Sequence, residues 1–339
     1  MGRLTSKSRA LFLSYGLSRY TPYILSGVLF ILVPFCVPTY LDSMLTKVLI
    51  FAIFALSLNL LWGYTGLISL GHAAYFGVGG YLSTVFILHF GIQNFWIILL
   101  CGIVASGLLA AIFGVIALRL SGLYFLMVTL ALGQLVFYTT YAWRSITGGS
   151  NGIFGISYPD LGFQWFTWNQ ISFYFFVLVS MSICFYLMYK IVNSPFGQSL
   201  RGIRENKRRM RNLGYNVWLH SYITFIIAGM FASIAGVLFS FFQGGMAPDH
   251  VSVAASSEAL LIILIGGTRV FWGPIVGSVI VILMEYFASL YTPARWPMIL
   301  GAIFIISVLF LRGGVGLYLN KLWQHRLTIK STDPAKDSS

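Results

Sequence analysis

Ten apolar runs divide this 339-residue chain, most of them about as long as a helix needs to be to cross a bilayer. Crossing takes roughly 20 predominantly apolar residues in helical form. The runs cover about residues 21–38, 45–62, 67–89, 95–118, 122–142, 171–192, 217–242, 257–268, 274–292 and 296–311. Only 9% of the residues are charged and 58% are hydrophobic, whereas a soluble domain is about 25% charged. In lipid, each backbone N–H and C=O must find its partner within the protein, so these runs predict an all-α bundle of about ten transmembrane helices. The eighth run is too short to cross alone and ends on Gly266-Gly267-Thr268. It predicts a half-helix or a broken span.

The basic residues orient the bundle. With a cytoplasmic N-terminus, 18 Lys and Arg lie on the inner side and only Lys47, Arg144 and Arg295 lie outside. Ten spans place both termini in the cytoplasm. The organisation expected is a cytoplasmic N-terminal segment at 1–20, a membrane domain at 21–311 and a polar cytoplasmic tail at 312–339. The net charge of +13 is spread over inner-face loops, so topology accounts for it and no nucleic acid is called for. The first run follows a basic start but leads into Cys36-Val-Pro-Thr-Tyr40, without a small-x-small cleavage site. It reads as an uncleaved span. Cys36, Cys101 and Cys184 form neither a disulfide framework nor a metal-spaced cluster.

Residues 194–214 stand apart, with six basic side chains and one acid. Ser194 can cap a helix that starts on Pro195, and Gly214 sits where a helix end favours a left-handed residue. Leu200, Ile203, Met210 and Leu213 fall at helical spacing, with Arg201, Arg204, Lys207, Arg208 and Arg211 largely opposite. This predicts one basic amphipathic helix between two spans. Such a helix can dock on a protein partner, or it can lie on anionic membrane lipid.

Catalytic signatures are absent. The sequence has no Gly-Lys dipeptide and hence no Walker A loop, and its five histidines never form His-Glu-x-x-His. No catalytic residue, metal site or bound cofactor is expected. Carboxylates within the spans are restricted to Glu258 and Glu285, near the outer ends of theirs. Ion-driven carriers place ionisable or unwound polar sites near mid-membrane, so the energy source is expected in another chain. Asn59, Thr65, Ser69, His72, Thr129 and Gln134 are polar groups at membrane depth. Each marks a candidate substrate path or serves as interhelical glue. His72 can equally bond a backbone group beside a broken connection, and Glu258 can act at the N-terminus of the short eighth span. Ala228, Ala232, Gly236 and Ser240, like Gly273 and Gly277, have the spacing of helix packing.

Leu58-Asn-Leu-Leu-Trp-Gly-Tyr-Thr-Gly-Leu-Ile-Ser-Leu-Gly-His-Ala-Ala-Tyr-Phe-Gly-Val-Gly-Gly-Tyr81 joins two spans through a tight Gly63–Gly66 connection. This segment resembles the permease subunits of leucine/isoleucine/valine-type ABC importers. Four more blocks match that family in order: Leu118-Arg-Leu-Ser-Gly-Leu-Tyr124, Thr147-Gly-Gly-Ser-Asn-Gly152, the segment 194–214, and Glu258-Ala-Leu-Leu-Ile-Ile-Leu-Ile-Gly-Gly-Thr268 with Trp272-Gly-Pro274. Together they span residues 50 to 315. The resemblance implies an ABC importer permease bundle, with spans two to five related to spans seven to ten by inversion. It implies a bacterial inner-membrane location, a second homologous permease and a periplasmic or lipid-anchored binding protein. Two cytoplasmic ATPases would carry ATP and Mg. Segment 194–214 becomes the coupling helix, with Gly197, Leu200, Arg201, Ile203, Arg204, Glu205, Asn206 and Gly214 as coupling residues. Residues 147–152 would lie outside, as a binding-protein contact, part of a gate or a plain turn-rich loop. The solute implied is a branched-chain or related amino acid. A urea or short-amide importer permease is the neighbouring alternative, and a self-sufficient secondary carrier is a more distant one.

Overall fold

The computed structural model describes residues 39–162, 168–268, 270–291, 296–310 and 314–315. It is helical, with α1 at Thr39–Thr65, α2 at Ala73–Phe90, α3 at Phe95–Ala117 and α4 at Leu123–Ala142. A short α5 at Arg144–Thr147 leads through a 3-10 turn to β1 at Ile153–Phe154. Then come α6 at Gln170–Asn193, α7 at Pro195–Glu205, α8 at Lys207–Asn212 and α9 at Val217–Gln243. After β2 at Gly245–Met246 and a second 3-10 turn, α10 covers Val253–Gly266, α11 Gly273–Tyr291 and α12 Trp296–Phe310. Seven of the described helices (α1, α2, α3, α4, α6, α9 and α11) are long and apolar enough to cross a membrane. They correspond to the second to seventh and the ninth apolar runs. The first run, like the N-terminal segment and most of the polar tail, lies outside the described residues.

Burial follows from how apolarity is distributed around each helix. α1 is apolar on every side, and such a helix belongs inside a bundle. Every residue from 48 to 61 in α1 is buried. α9 packs along α1, α2 and α3, while α6 and α11 flank α1 on its other sides. Phe51, Phe54, Phe76 and Phe239 fill the centre, their rings 4.7 to 6.3 Å apart. α3, α4 and α6 each leave an apolar face open, including Leu100, Leu108, Leu123, Tyr138 and Val179. A row of apolar side chains turned outward suits lipid or another membrane protein.

Glycine sets the closest approaches. A Cβ on Gly236 would stand 1.9 Å from the Phe76 carbonyl oxygen, and one on Gly277 would stand 2.0 Å from that of Ile262. Ala228, Ala232, Gly236 and Ser240 are all buried along the α9 seam. Their spacing serves packing.

Three sequence-based expectations are corrected. The tight Gly63–Gly66 connection is absent: α1 continues through Gly63 to Thr65, and residues 66–72 form the link to α2. The short eighth helix starts at Val253 rather than near Glu258, with Ser252 Oγ accepting from the Ala255 N–H at 3.4 Å. Glu258 is therefore inside the helix and not at its N-terminus. Basic segment 194–214 is two helices, since Asn206 is extended at φ −156° and ψ 98°. Residues 147–152 lead into β1, which pairs antiparallel with β2 at the end of α9. Gly152 lies so close there that a Cβ would be 2.4 Å from the Met246 carbonyl oxygen.

Candidate functional site

The basic module, the 66–72 link and the turn after α10 meet at one end of the bundle. The module begins as its residues dictate. Ser194 Oγ accepts from the Gly197 N–H at 3.3 Å, and Pro195 occupies the first helical position, where no donor is needed. Gly197 is required there, since a Cβ would fall 2.1 Å from the Val192 carbonyl oxygen. α7 stops at Glu205, and Asn206 Oδ1 opens α8 by accepting from the Arg209 N–H at 2.9 Å. Gly214 closes the module at φ +86°, the left-handed geometry expected of it.

Leu200 and Ile203 are fully buried, and Met210 nearly so. They join Leu60 and Tyr64 of α1, Val192 of α6 and Val217 of α9 in a small apolar cluster separate from the main core. Leu213 does not join them; it is 66% exposed, because the break at Asn206 resets the helical phase. Arg204 is half-buried and Arg201 exposed, yet both reach backbone carbonyls of the bundle. Arg201 Nη2 donates to the Val192 carbonyl at 3.4 Å, and its guanidinium lies 5.4 Å from the centre of the Tyr64 ring. Arg204 Nη1 donates to the Gly63 carbonyl. Glu205, Asn206, Lys207, Arg208, Arg209 and Arg211 remain exposed.

The 66–72 link lacks regular structure within an apolar bundle, so its backbone groups need partners from elsewhere. A side chain meets one of them, and two further contacts fix the link where α2 begins. The Leu70 N–H donates to Thr129 Oγ1 of α4 at 3.3 Å, and the Ala73 N–H donates to Ser256 Oγ of α10 at 3.0 Å. His72 Nε2 lies 2.9 Å from Ser57 Oγ of α1, and its ring stacks on Phe54. Ser57 Oγ also lies 2.7 Å from the Phe54 carbonyl, so the one hydroxyl serves both the ring and the α1 backbone. Gly71 touches α4 directly, since a Cβ would stand 2.1 Å from the Thr129 carbonyl oxygen.

The sequence-predicted path residues are thus placed unequally. His72 and Thr129 converge on the link. Thr65 Oγ1 turns back to the Leu61 carbonyl at 2.6 Å, which satisfies it locally. Asn59 and Ser69 are buried with side-chain oxygen and nitrogen atoms that have no hydrogen-bond partner among the described residues. Gln134 is half-buried beside Gly133, and Glu258 is half-buried with a sealed Oε1 that has no hydrogen-bond partner. Sequence reasoning missed Ser57 and Ser256. Serine is so common in membrane helices that nothing in the local pattern marks these two as partners of the link.

Near the opposite end of α1, Lys47 donates to both carboxylate oxygens of Glu285 at 2.6 Å and lies 5.4 Å from the Phe51 ring centre. Glu258 is within electrostatic reach of both. Nearby, the Ala247 N–H donates to His250 Nδ1 at 3.3 Å, which requires a neutral ring. Burial pushes the His250 imidazole below its usual range, with Asp249 pulling partly the other way. Among the described residues no three His, Cys, Asp or Glu side chains are grouped to hold a metal ion.

These features define a multi-pass helical membrane protein whose interrupted spans are stitched together by side chains and whose basic module is rooted in the bundle. The chain belongs to the family of the permease component of the branched-chain amino acid transport system, whose model matches residues 40–309. It is 27% identical to the high-affinity branched-chain amino acid transport system permease protein LivM of Salmonella typhimurium and 28% identical to LivM of Escherichia coli. Each match covers 74% of this chain and 64% of the relative. The chain thus spans less than two thirds of the length of these LivM relatives. The permease protein LivH of Salmonella typhimurium is 22% identical, over 76% of this chain and 88% of LivH. No solved structure matches the chain.

Proposed function

We propose that the chain is the permease subunit of an ATP-binding-cassette importer and forms half of a translocation path for a branched-chain or related amino acid. α7 and α8 are the surface on which a cytoplasmic ATPase docks. A second, homologous permease completes the path, a binding protein delivers the solute from outside, and ATP and Mg reside on the ATPases. The membrane is the bacterial inner membrane, with both termini cytoplasmic and Lys47 at the outer end. The family supports the solute class, and the LivM and LivH relatives support a two-permease assembly. Among importers of this type, urea or a short amide is the alternative cargo.

Two structural observations support an internal inverted repeat. α1 and α9 are each 27 residues long, and both lead through an irregular link, 66–72 or 244–252, into a shortened helix of 18 or 14 residues. If each long helix spans, α1 and α9 run in opposite directions.

The observation that carries the docking role is the fate of the module's apolar face. A lipid-anchoring helix buries that face at the headgroup–acyl boundary. Here Leu200, Ile203 and Met210 are already covered by α1, α6 and α9, and apart from Pro195 and Leu213 the side chains left exposed on the module are polar or basic. Ile203 substitutions therefore test packing, and Glu205 and Asn206 are the residues that test docking. In membrane vesicles carrying the whole importer, Glu205→Lys should lower ATP-driven uptake at least tenfold at normal permease abundance. Replacing Lys207, Arg208 and Arg209 together with Gln should do less. The reverse ranking would mean lipid anchoring, at roughly 1 kcal/mol per basic residue. Transport by the isolated chain in liposomes, or saturable ATP binding to it, would sink the proposal.

A further inference from the structure

The six basic residues of the module divide into two groups. Those of α8 (Lys207, Arg208, Arg209 and Arg211) are exposed. Arg201, also exposed, and the half-buried Arg204, one turn apart on α7, reach the final turns of two long helices. Val192, which accepts from Arg201, is in the last turn of α6. Gly63, which accepts from Arg204, is in the last turn of α1.

Carbonyls in a final turn have no helical donor, and a cation there also complements the helix dipole. The Gly66 N–H takes the Trp62 carbonyl at 3.1 Å, so Gly63 is left for the guanidinium. Gly63 is a junction as well. A Cβ on it would lie 2.8 Å from the Thr268 carbonyl oxygen in the turn between α10 and α11. A Cβ on Gly66, the first residue of the link, would lie 3.4 Å from Arg204 Cγ. One side chain of α7 therefore borders the start of the 66–72 link and, through Gly63, the turn after α10.

We propose that Arg204 is a positioning residue that joins α7 mechanically to the end of α1, so that displacement of the module is carried into the 66–72 link and the groups that hold it. This rests on the coupling role proposed above. The guanidinium suits the task because it is planar and always charged and presents several donors in a fixed fork, whereas a lysine ammonium is a single mobile point of charge. Arg201, held over the Tyr64 ring, is bonded instead to the end of α6.

Two measurements test the assignment. In the first, hydrogen exchange is followed on the purified full chain in detergent, without ATPases. Arg204→Ala should accelerate exchange at amides 66–75 about tenfold, Arg204→Lys should accelerate it less, and Arg208→Ala should leave it unchanged. In the second, the assembled importer is assayed for leucine uptake and ATP hydrolysis. Arg204→Ala should retain hydrolysis but lose at least tenfold in uptake per ATP, with partial recovery in Arg204→Lys. Membrane abundance and gel-filtration behaviour identify a variant that fails to fold, and the Lys variant then carries the test. Unchanged exchange in Arg204→Ala overturns the proposal. So does faster exchange with undiminished uptake, which would make Arg204 a helix cap and nothing more. If the wild-type assembly shows no ATP-driven uptake, the proposed function falls, while the exchange arm still decides whether Arg204 holds the link.

Discussion

Lys47 bonds both oxygens of Glu285, with the two side chains 26% and 22% exposed, and this half-buried pair ties α1 to α11. Removing one partner should cost more than removing both, because the survivor is left desolvated without a counter-charge. Lys47→Met should destabilise the purified protein by about 2 kcal/mol, between the values for exposed and fully buried pairs. The double variant Lys47→Met/Glu285→Leu should recover much of that loss in thermal melts. His250 responds to pH in a determined direction. Its folded pKa is depressed by burial, so its contribution is complete above the unfolded value of about 6.5 and is lost as pH falls below it. Melts at pH 7.5 and 5.5 should therefore differ less in His250→Gln than in the wild type. At this scale the sequence was only partly legible. Polar residue type at membrane depth singled out His72 and Thr129 along with Asn59, Thr65, Ser69 and Gln134, but not the partners of the first two, Ser57 and the Leu70 N–H. Arg201 and Arg204 had been grouped with the basic face because spacing alone does not show that a long arginine can fold back onto a helix end.

Among the elements, the seam between α2 and α9 is the most exacting. Gly236 meets the Phe76 carbonyl oxygen and Gly79 meets that of Ser233, so backbone lies against backbone. Gly236→Val should destabilise by about 3 kcal/mol, at the upper end of ordinary overpacking. It should appear as reduced membrane abundance and a lower melting temperature, whereas Gly91→Ala, in open space, suffers only from its φ of +67°. The small residues along α9 announced that seam in the sequence. The break at Asn206 was hidden because Lys207 to Arg211 continue a helical pattern, and only the capping ability of Asn hinted at a restart. Gly63 and Gly66 suggested a turn, but Gly63 sits inside α1 to admit its neighbours.

For the whole molecule, apolar run length was a dependable guide: seven of the ten runs correspond to α1, α2, α3, α4, α6, α9 and α11 within a few residues at most boundaries, although α1 begins six residues before its run and α2 six residues after. What run length cannot encode is an irregular link held by side chains, which is why residues 67–72 were read as span. Topology remains open to a direct check at two exposed positions. A cysteine placed at Asn151 should react with a membrane-impermeant reagent from outside intact cells, and one at Asn206 should not. The opposite pattern would overturn the orientation. The glycine seams also bear on how such a bundle can move. Where two backbones touch there is no layer of side chains to change rotamer, so α2 and α9 can neither slide nor roll past each other by repacking. The same holds for α10 and α11 at Gly277. These pairs behave as rigid blocks, and any opening of the bundle must occur at the joints between blocks and on the looser outer helices.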